Sequence, residues 1–412
     1  MDIAALAVNL ELIRGLVGAG VRVEPVVKAD AYGHGAVGAS RALEAAGADG
    51  FCVAAYDEAI ELRRAGIRRP ILVLYPPDPA LAPDAARRRI TLSVGDPELL
   101  GRTLAALGGR DLGAGRAARA RLPRLAIELE VETGLGRGGF EPGRIVAAAR
   151  AIAAQPAARF AGAWTHLQAA DDGPRTSAQF ERFEAALAAL EHDGLAPRRR
   201  HVVATGGLAV GGLAAYEAIR PGLAIYGVAP DDVDPRFGAG LAALRPALTL
   251  VARPSRVADL PAGWGVSYGP TFSTRRRSRI ATLPVGYADG YPRHVSNHAD
   301  ALVRGVRAPL VGNVAMDALM VDVTDVPGPP VSVDDEFVLV GRQGTAEIPA
   351  LELAQRSATI TWVVLAAMAR RLTRVYDAPS GVVGVRTLHS PGTTWHESNF
   401  GTATSATSRS TR

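Results

Sequence analysis

Short apolar runs alternate with segments of helical periodicity through the first part of this chain, and this alternation constrains the fold more than any other feature. The runs are rich in Val, Ile and Leu, and Ala-rich segments such as GASRALEAAG (38–47) lie between most of them. Strands that alternate with helices predict a parallel sheet. Eight such units within roughly 220 residues predict a (β/α)8 barrel of the TIM type. The eight runs are VEPVVKA (23–29), FCVAA (51–55), PILVLY (70–75), ITLSV (90–94), LAIELEVE (125–132), FAGAWTH (160–166), HVVAT (201–205) and LAIYGV (223–228).

The pattern changes after about residue 240, where strand-like segments such as ALMVDVTDV (318–326) are separated by Gly and Pro. This pattern predicts a mainly antiparallel β domain. No long helical pattern appears in it before ITWVVLAAMARRL (360–372), and the end of the chain is rich in Ser, Thr and Gly. We therefore predict a barrel domain over residues 1–235, a β-rich domain over 236–385 and a disordered tail over 386–412.

Lys28 is the only lysine among the 46 lysine and arginine residues of the chain. Guanidinium keeps its proton at any usable pH, whereas an ε-amine can lose its proton when desolvated and can then form a Schiff base. Lys28 closes an apolar run and precedes a turn rich in Gly, His and Tyr, VVKADAYGHG (26–35). This position favours a catalytic lysine over one retained by chance.

Composition excludes several other classes of protein. The formal net charge is only +5 despite a pI near 9.6, and the arginine clusters lack interleaved aromatic residues, so we predict no nucleic-acid partner. No stretch approaches the roughly 18 consecutive apolar residues of a membrane span. The single Cys52 excludes an internal disulfide and a zinc cluster, and we predict no metal and a cytoplasmic protein.

Several chemically useful residues follow the ends of predicted strands. Lys28 ends the first run, Arg137 follows the fifth in GLGRGG, and His166 ends the sixth. Active groups of a (β/α)8 barrel lie at this rim, and phosphate sites commonly lie after strands seven and eight. The Gly-containing turns TGG (205–207) and RPGLAIYG (220–227) are candidate anion nests at that place. A lysine beside phosphate-holding turns suggests pyridoxal phosphate.

Seven segments resemble the alanine racemase family, a group of fold-type III pyridoxal phosphate enzymes, and they occur in the family's order. The resemblance covers roughly residues 8–377 and includes both predicted domains. It implies an enzyme that interconverts L- and D-alanine. It also implies a homodimer, because the two catalytic bases would come from different subunits. The segments are VVKADAYGHG, ETGLGRGG (132–139), WTHLQAADD (164–172), AIRPGLAIYG (218–227), WGVSYGPTF (264–272), LPVGYADGYPR (283–293) and GNVAMDALMVDV (312–323).

The resemblance implies a role for each matching residue. Lys28 would hold the cofactor covalently and act as one base, and Tyr268 would be the second base in the partner subunit's site. Arg220 would meet the ring nitrogen, supported by His201, while Arg137 would meet the phenolic oxygen and the substrate. His166 would lie beside the ring and join the hydrogen-bond network of Tyr268. Tyr32, Thr205, Gly222 and Leu223 would lie near the phosphate, and Met316, Asp317 and Tyr287 would shape the substrate end from the partner subunit.

One departure from the family pattern concerns a lysine that is often carbamylated. Glu130 stands at that position here. A carboxylate could orient Arg137 directly, without CO₂, and we weigh this hypothesis equally with a purely structural role in the fifth strand. The substitution leaves both predicted bases intact.

Other functions stay open at this stage. A racemase of serine or of a broader range of amino acids would have the same bases. A decarboxylase of basic amino acids would place a cysteine near the Tyr268 position, whereas Cys52 lies in the second run. A non-catalytic pyridoxal phosphate-binding protein would need no second base, and a purely structural barrel would leave Lys28 unexplained.

Overall fold

The computed structural model describes residues 1–108, 123–389 and 394–395. Its first part contains eight parallel strands in the sheet order β1-β8-β7-β6-β5-β4-β3-β2. A parallel bridge between Val26 and Cys52 joins the chain after β1 to β2, so the sheet closes on itself and the predicted barrel is confirmed. The strands are β1 (Arg22–Val23), β2 (Phe51–Val53), β3 (Ile71–Val73), β4 (Ile90–Val94), β5 (Leu125–Glu130), β6 (Ala158–Trp164), β7 (Arg200–Ala204) and β8 (Ala218–Arg220).

Helices lie between these strands, and the longer ones cover the outside of the barrel, whereas the short segment Lys28–Tyr32 is a left-handed turn. Their inner faces carry small and aliphatic residues, as in α1, where Leu6, Leu10 and Ile13 are buried. The Asp172 side chain caps the longest of these helices by accepting a hydrogen bond from the Arg175 N–H at 3.0 Å. The helices are α1 (Ile3–Val17), α2 (Lys28–Tyr32), α3 (Ala36–Ala45), α4 (Tyr56–Arg64), α5 (Ala82–Arg87), α6 (Pro97–Gly108), α7 (Ile145–Ala154), α8 (Gly173–His192) and α9 (Thr205–Val210).

The eighth strand lies earlier in the chain than the apolar run at 223–228 predicts. That run begins with a 3₁₀ turn, Leu223–Tyr226, whose four residues are all buried. Pro221 follows β8 directly and has no N–H to continue the ladder. The Tyr226 hydroxyl then donates to the Val26 carbonyl at 2.8 Å. The run is therefore apolar because it packs in the core, and its assignment as a strand was wrong.

The second part of the chain forms antiparallel sheets, as predicted. Strands β10, β11 and β14 form one sheet, and β13, β12, β15 and β16 form another, to which β9 is added through β15. The strands are β9 (Leu250–Ala252), β10 (Arg256–Leu260), β11 (Ser278–Leu283), β12 (Asp300–Val303), β13 (Val306–Pro309), β14 (Leu319–Asp322), β15 (Phe337–Gln343), β16 (Ala346–Ile348), β17 (Arg374–Ala378), β18 (Gly381–Arg386) and β19 (Thr394–Trp395).

The helix predicted over 360–372 is shorter than its sequence pattern. The chain instead forms α10 (Ala350–Arg356) and α11 (Thr361–Ala366). Beyond the end of α11, the Ala369 N–H donates to the Asp289 carbonyl at 3.0 Å, and the Arg374 guanidinium donates to the carbonyls of Met368 at 2.9 Å and Leu372 at 2.8 Å. These backbone groups are paired outside the helical ladder, and the helix does not continue through them.

Strand β17 lies against the first residue of the chain. The terminal ammonium group of Met1 donates to the Val375 carbonyl at 2.8 Å, and the Asp377 N–H donates to the Met1 carbonyl at 2.8 Å. The predicted tail begins too early, because Arg386 lies in β18 and 394–395 form β19. Residues 390–393 and 396–412 lie outside the described residues. The domain boundary at residue 235 stays a prediction.

Candidate active site

A cavity of about 520 Å³ opens at the carboxyl ends of the barrel strands. It brings together side chains from six connections around the barrel, which is the place where (β/α)8 barrels carry their chemistry. His201 lies behind its wall, bonded to Arg220. The predicted residues that line the cavity are Lys28, Tyr32, Arg137, His166, Thr205, Arg220, Gly222 and Leu223.

The backbone that follows Lys28 is left-handed. Ala29, Asp30, Ala31 and Tyr32 have φ values of 51°, 55°, 56° and 51°, a conformation that costs about 1–2 kcal/mol for each residue with a β-carbon. The N–H of Ala29 donates to the Glu58 carboxylate at 2.6 Å. Runs of such strain persist only where surrounding contacts enforce them, and they cluster at functional sites.

The environment of Lys28 makes its ammonium group easier to deprotonate. Burial lowers the pKa of Lys28, and the nearby Arg137 guanidinium lowers it further, while Glu58 and Cys52 oppose the shift. A neutral ε-amine has the free electron pair that a nucleophile or a base requires. The lysine singled out by composition therefore lies in a cavity that prepares it for either role.

Arg220 is held by a buried chain of polar groups. Its guanidinium donates to the carbonyls of Thr165 at 2.8 Å and His201 at 3.0 Å, and to the His201 Nδ1 atom. The opposite nitrogen of that ring, Nε2, lies 2.7 Å from the Glu128 carboxylate. Because Nδ1 accepts from an arginine, Nε2 carries the proton and donates it to Glu128. Burial lowers the pKa of Arg220 to about 10, so it remains charged at neutral pH.

Glu128 and Trp164 are parts of this assembly that sequence analysis missed. Glu128 is 1% exposed and also pairs with Arg199 at 3.0 Å. The Trp164 ring lies 4.7 Å from the Arg220 guanidinium carbon, a cation–π contact. The alternation of LAIELEVE could have pointed to Glu128, because Glu128 and Glu130 both face the interior from one face of β5.

Arg137 reaches the cavity beside the carboxylate at the unusual position. Its Nη2 atom lies 3.7 Å from Glu130 Oε1, and its guanidinium carbon lies 5.7 Å from the centre of the Tyr75 ring. Burial raises the pKa of Glu130, and Arg137 partly offsets that rise. The structure thus brings together the pair on which the hypothesis about Glu130 depends.

The phosphate end of the predicted cofactor site is lined by closely packed backbone. The Thr205 hydroxyl accepts hydrogen bonds from the N–H groups of Gly222 at 3.0 Å and Ala224 at 3.4 Å. A β-carbon on Gly222 would lie 2.7 Å from the Tyr32 hydroxyl, so a larger residue would displace that tyrosine. The first N–H groups of a helix have no partner within it, and α9 begins at Thr205. An amine, a fixed guanidinium and these backbone donors fit pyridoxal phosphate.

The four predicted residues of the β-rich part do not line this cavity. Tyr268 is 75% exposed, Met316 53% and Tyr287 42%, and Asp317 pairs with Arg371 at 2.6 Å. The backbone of the loop that carries Tyr268 is nevertheless held in place, because the Asn313 amide donates a hydrogen bond to the Tyr268 carbonyl at 2.8 Å. Within one chain, the structure therefore does not bring Tyr268 to the lysine.

Comparisons with known proteins agree over nearly the whole chain. The alanine racemase N-terminal domain matches residues 1–230, and the alanine racemase C-terminal domain matches residues 247–376. Alanine racemase from Symbiobacterium thermophilum is 42% identical over 91% of this chain and 96% of its own length. That from Sorangium cellulosum is 38% identical over 92% and 98%.

Solved structures give the same result. Alanine racemase from Bacillus anthracis with bound L-Ala-P is 30% identical, with a TM-score of 0.85 over 94% of this chain and 97% of the other. Histidine racemase from Leuconostoc mesenteroides subsp. sake is 30% identical, with a TM-score of 0.79 over 91% and 96%. The chain therefore belongs to the alanine racemase family and is an amino-acid racemase, an isomerase.

Proposed function

We propose that this protein interconverts L-alanine and D-alanine with pyridoxal phosphate, using Lys28 and Tyr268 as bases on opposite faces of the substrate. The observation that carries the proposal is the cavity itself, in which a lysine with a lowered pKa lies beside Arg137 and Arg220. The identity of 42% to an alanine racemase over most of the chain supports alanine as the substrate.

Racemisation requires one proton to leave Cα on one face and another to arrive on the opposite face. When bound, pyridoxal phosphate withdraws electrons from Cα and makes its proton acidic. Lys28 Nζ holds or accepts a proton on one face, and the lowered pKa brings it nearer to neutral pH, where proton exchange is efficient. The Tyr268 hydroxyl of a second copy would act on the other face.

Arg220 and Arg137 orient and tune the site without exchanging protons. Arg220 is buried and held by hydrogen bonds to His201 and Thr165, and it would donate a hydrogen bond to the ring nitrogen while keeping its own proton. This would limit electron withdrawal and suppress transamination. Arg137 presents a cation for the phenolic oxygen and the substrate carboxylate. Burial and the charges of Arg220, Arg137 and Lys28 lower the pKa of His166 to about 3, so this imidazole is neutral beside the ring.

A homodimer completes the site in this proposal. Tyr268, Tyr287 and Met316 are large side chains exposed on the same part of the chain, and exposed aromatic residues of this kind are typical of interfaces. A second copy would cover them and bring them, together with Asp317, over the cavity. We infer a cytoplasmic enzyme, in agreement with the single buried Cys52. No helix among the described residues is long and apolar enough to cross a membrane.

Substrate breadth is a second question. The family contains a structurally similar histidine racemase, so membership alone does not restrict the substrate to alanine. Serine adds one hydroxyl to the side chain of alanine, and a binding pocket discriminates a difference of one small group only modestly. Serine is therefore the first alternative substrate to test.

The test is chiral chromatography of L-alanine after incubation with the purified protein and pyridoxal phosphate. We expect D-alanine to approach equal amounts with L-alanine, and none to form with the Lys28→Ala variant. If a yellow, cofactor-loaded protein produces no D-alanine but racemises L-serine, the alternative substrate is correct. If it racemises neither, the proposal of a racemase of small amino acids is wrong and a binding role is favoured.

A further inference from the structure

Asp30 lies inside the left-handed turn that follows Lys28, and it is bonded to the far end of the chain. Arg386 of β18 places Nη1 at 2.7 Å and 3.0 Å from the two carboxylate oxygens. The N–H of Ala36, at the start of α3, donates to the same carboxylate at 2.8 Å. The side chains of Asp30 and Arg386 are only 10% and 7% exposed. This is a buried ion pair that joins residues 356 positions apart in sequence.

Two further arginines of the β-rich part surround the same carboxylate. Arg370 lies 3.5 Å and Arg374 lies 3.9 Å from Asp30 oxygens. Arg370 also pairs with Glu61 of α4, so its guanidinium lies between two carboxylates of the barrel, those of Asp30 and Glu61. Although burial opposes ionisation of Asp30, the hydrogen bond from Arg386 leads a set of contacts that lower its pKa. The carboxylate therefore stays charged and bonded at neutral pH.

The end of the turn is packed against the same strands. The Arg374 guanidinium donates to the Gly33 carbonyl at 2.9 Å, and the Tyr376 hydroxyl donates to the His34 carbonyl at 3.3 Å. Gly35 has φ of +91°, and a β-carbon there would lie 2.1 Å from the Tyr376 hydroxyl. Gly35 thus admits the close approach of β17, which explains the glycine at this position physically.

These contacts identify what enforces the strained backbone. Residues 29–32 would relax out of the left-handed region if they were free, and a change of backbone direction there would move Lys28 at its beginning. Glu58 holds the first residue of the turn from within the barrel. Asp30, Gly33 and His34 are held from the β-rich part of the same chain.

We propose that Asp30 is a positioning residue whose bond to Arg386 fixes the left-handed turn and so aims Lys28 into the cavity. The β-rich part would then act twice: it positions the lysine of its own chain and supplies Tyr268 to the other subunit. The inference rests on the proposed function only in assigning Lys28 as the amine that holds the cofactor.

Because Lys28 is the only lysine, an amine reagent reports on it alone once the N-terminal peptide is separated. We would titrate the acetylation of Lys28 in cofactor-free protein by acetic anhydride and mass spectrometry, and measure kcat and KM for alanine in the holoenzyme. The variants are Asp30→Asn, which keeps an acceptor for the Ala36 N–H, and Arg386→Lys, which keeps the charge. The control is Arg304→Gln, which breaks the Arg304–Asp335 pair at 2.7 Å in the β12–β13 hairpin.

We expect Asp30→Asn to raise the apparent pKa of Lys28 and to lower kcat by about 10- to 100-fold, the effect of a small misplacement of a reacting group, with KM changed less than kcat. Arg386→Lys should retain most of the wild-type kcat. Arg304→Gln should have the same kcat and the same Lys28 titration as the wild-type protein. A lower melting temperature for Asp30→Asn with an unchanged Lys28 titration and kcat would overturn the inference. Failure of the wild-type protein to bind pyridoxal phosphate would instead refute the proposed function, while the Lys28 titration would still test the turn.

Discussion

The two parts of this molecule that carry the proposed bases differ in how they prepare them. Lys28 lies in a cavity where burial and a neighbouring cation lower its pKa. Tyr268 lies on the surface of the β-rich part and is 75% exposed. The lysine side of the site is therefore formed within one chain, whereas in the proposed homodimer the tyrosine side would acquire its environment only when the second copy covers it. Catalysis would then depend on assembly as well as on folding.

The largest effect should come from separating the two bases. Lys28→Ala and Tyr268→Phe should each reduce kcat by at least about 100- to 10,000-fold, the usual contribution of a positioned acid or base. If the bases meet across an interface, mixed and re-associated variants should recover activity, because random pairing leaves about one site in four with both. D-alanine formation measures the recovery. No recovery in a verified mixed dimer would show that both bases act within one chain.

The next prediction concerns the cation of the buried chain. Arg220→Glu should reduce racemisation by at least about 100-fold and increase transamination, because a carboxyl group can share a proton with the ring nitrogen. D-alanine and pyruvate measured together separate the two reactions. Arg220→Lys, which keeps a cation, serves as the control and should not increase pyruvate. Equal loss of both reactions in Arg220→Glu would contradict the role given to this charge.

A smaller effect should follow from removing the carboxylate beside Arg137. The Glu130–Arg137 distance of 3.7 Å and the partial exposure of Arg137 indicate an interaction of about 0.5–1 kcal/mol. Glu130→Gln should therefore lower kcat/KM by about 2- to 5-fold. Added bicarbonate should not change kcat/KM of the wild-type protein or of the variant. Glu141→Gln, which removes an exposed carboxylate paired with Arg144 at 3.8 Å, is the control. Normal kinetics and cofactor affinity in Glu130→Gln would favour the structural role.

The last prediction concerns acid stability and not activity. Burial lowers the pKa of His34 to about 4, against about 6.5 in the unfolded chain. Between these values the unfolded chain binds more protons, so stability rises with pH, and acidification below pH 6.5 destabilises the fold by up to about 1.4 kcal/mol per pH unit for this histidine. His34→Asn should reduce this slope in urea unfolding from pH 4.5 to 7.5. The exposed His298→Asn control should leave it unchanged, and equal slopes in all three proteins would refute the prediction.

The barrel was predictable because its pattern is local and repeated. Each run of apolar residues needs only its own burial to become a strand, and seven of the eight predicted runs overlap a barrel strand. The prediction of a strand in the eighth run was wrong, because burial in a 3₁₀ turn favours the same apolar residues as burial in a strand. The helix predicted over 360–372 was too long, because the Ala369 N–H pairs with the distant Asp289 carbonyl instead of continuing the helical ladder.

The candidate site divides along the same line. Lys28, Arg137, His166 and Thr205 could be placed together because they follow the barrel strands β1, β5, β6 and β7, whose ends meet at one rim. The alternation in β5 could have indicated that Glu128 faces the interior, but nothing local could indicate that its partner is a histidine 73 positions away. The ion pair between Arg386 and Asp30 could not be predicted either, since its two residues are 356 positions apart in sequence.

The sequence by itself determined the alternation that makes the barrel, the single lysine and the order of motifs that identifies the family. The tertiary structure decided how those residues are tuned: which amine is desolvated, which carboxylate faces which guanidinium, and which base stays outside the cavity. The physical reason is range. Backbone patterning depends on residues a few positions apart, whereas burial, charge pairing and strain depend on groups that only folding brings within a few ångströms.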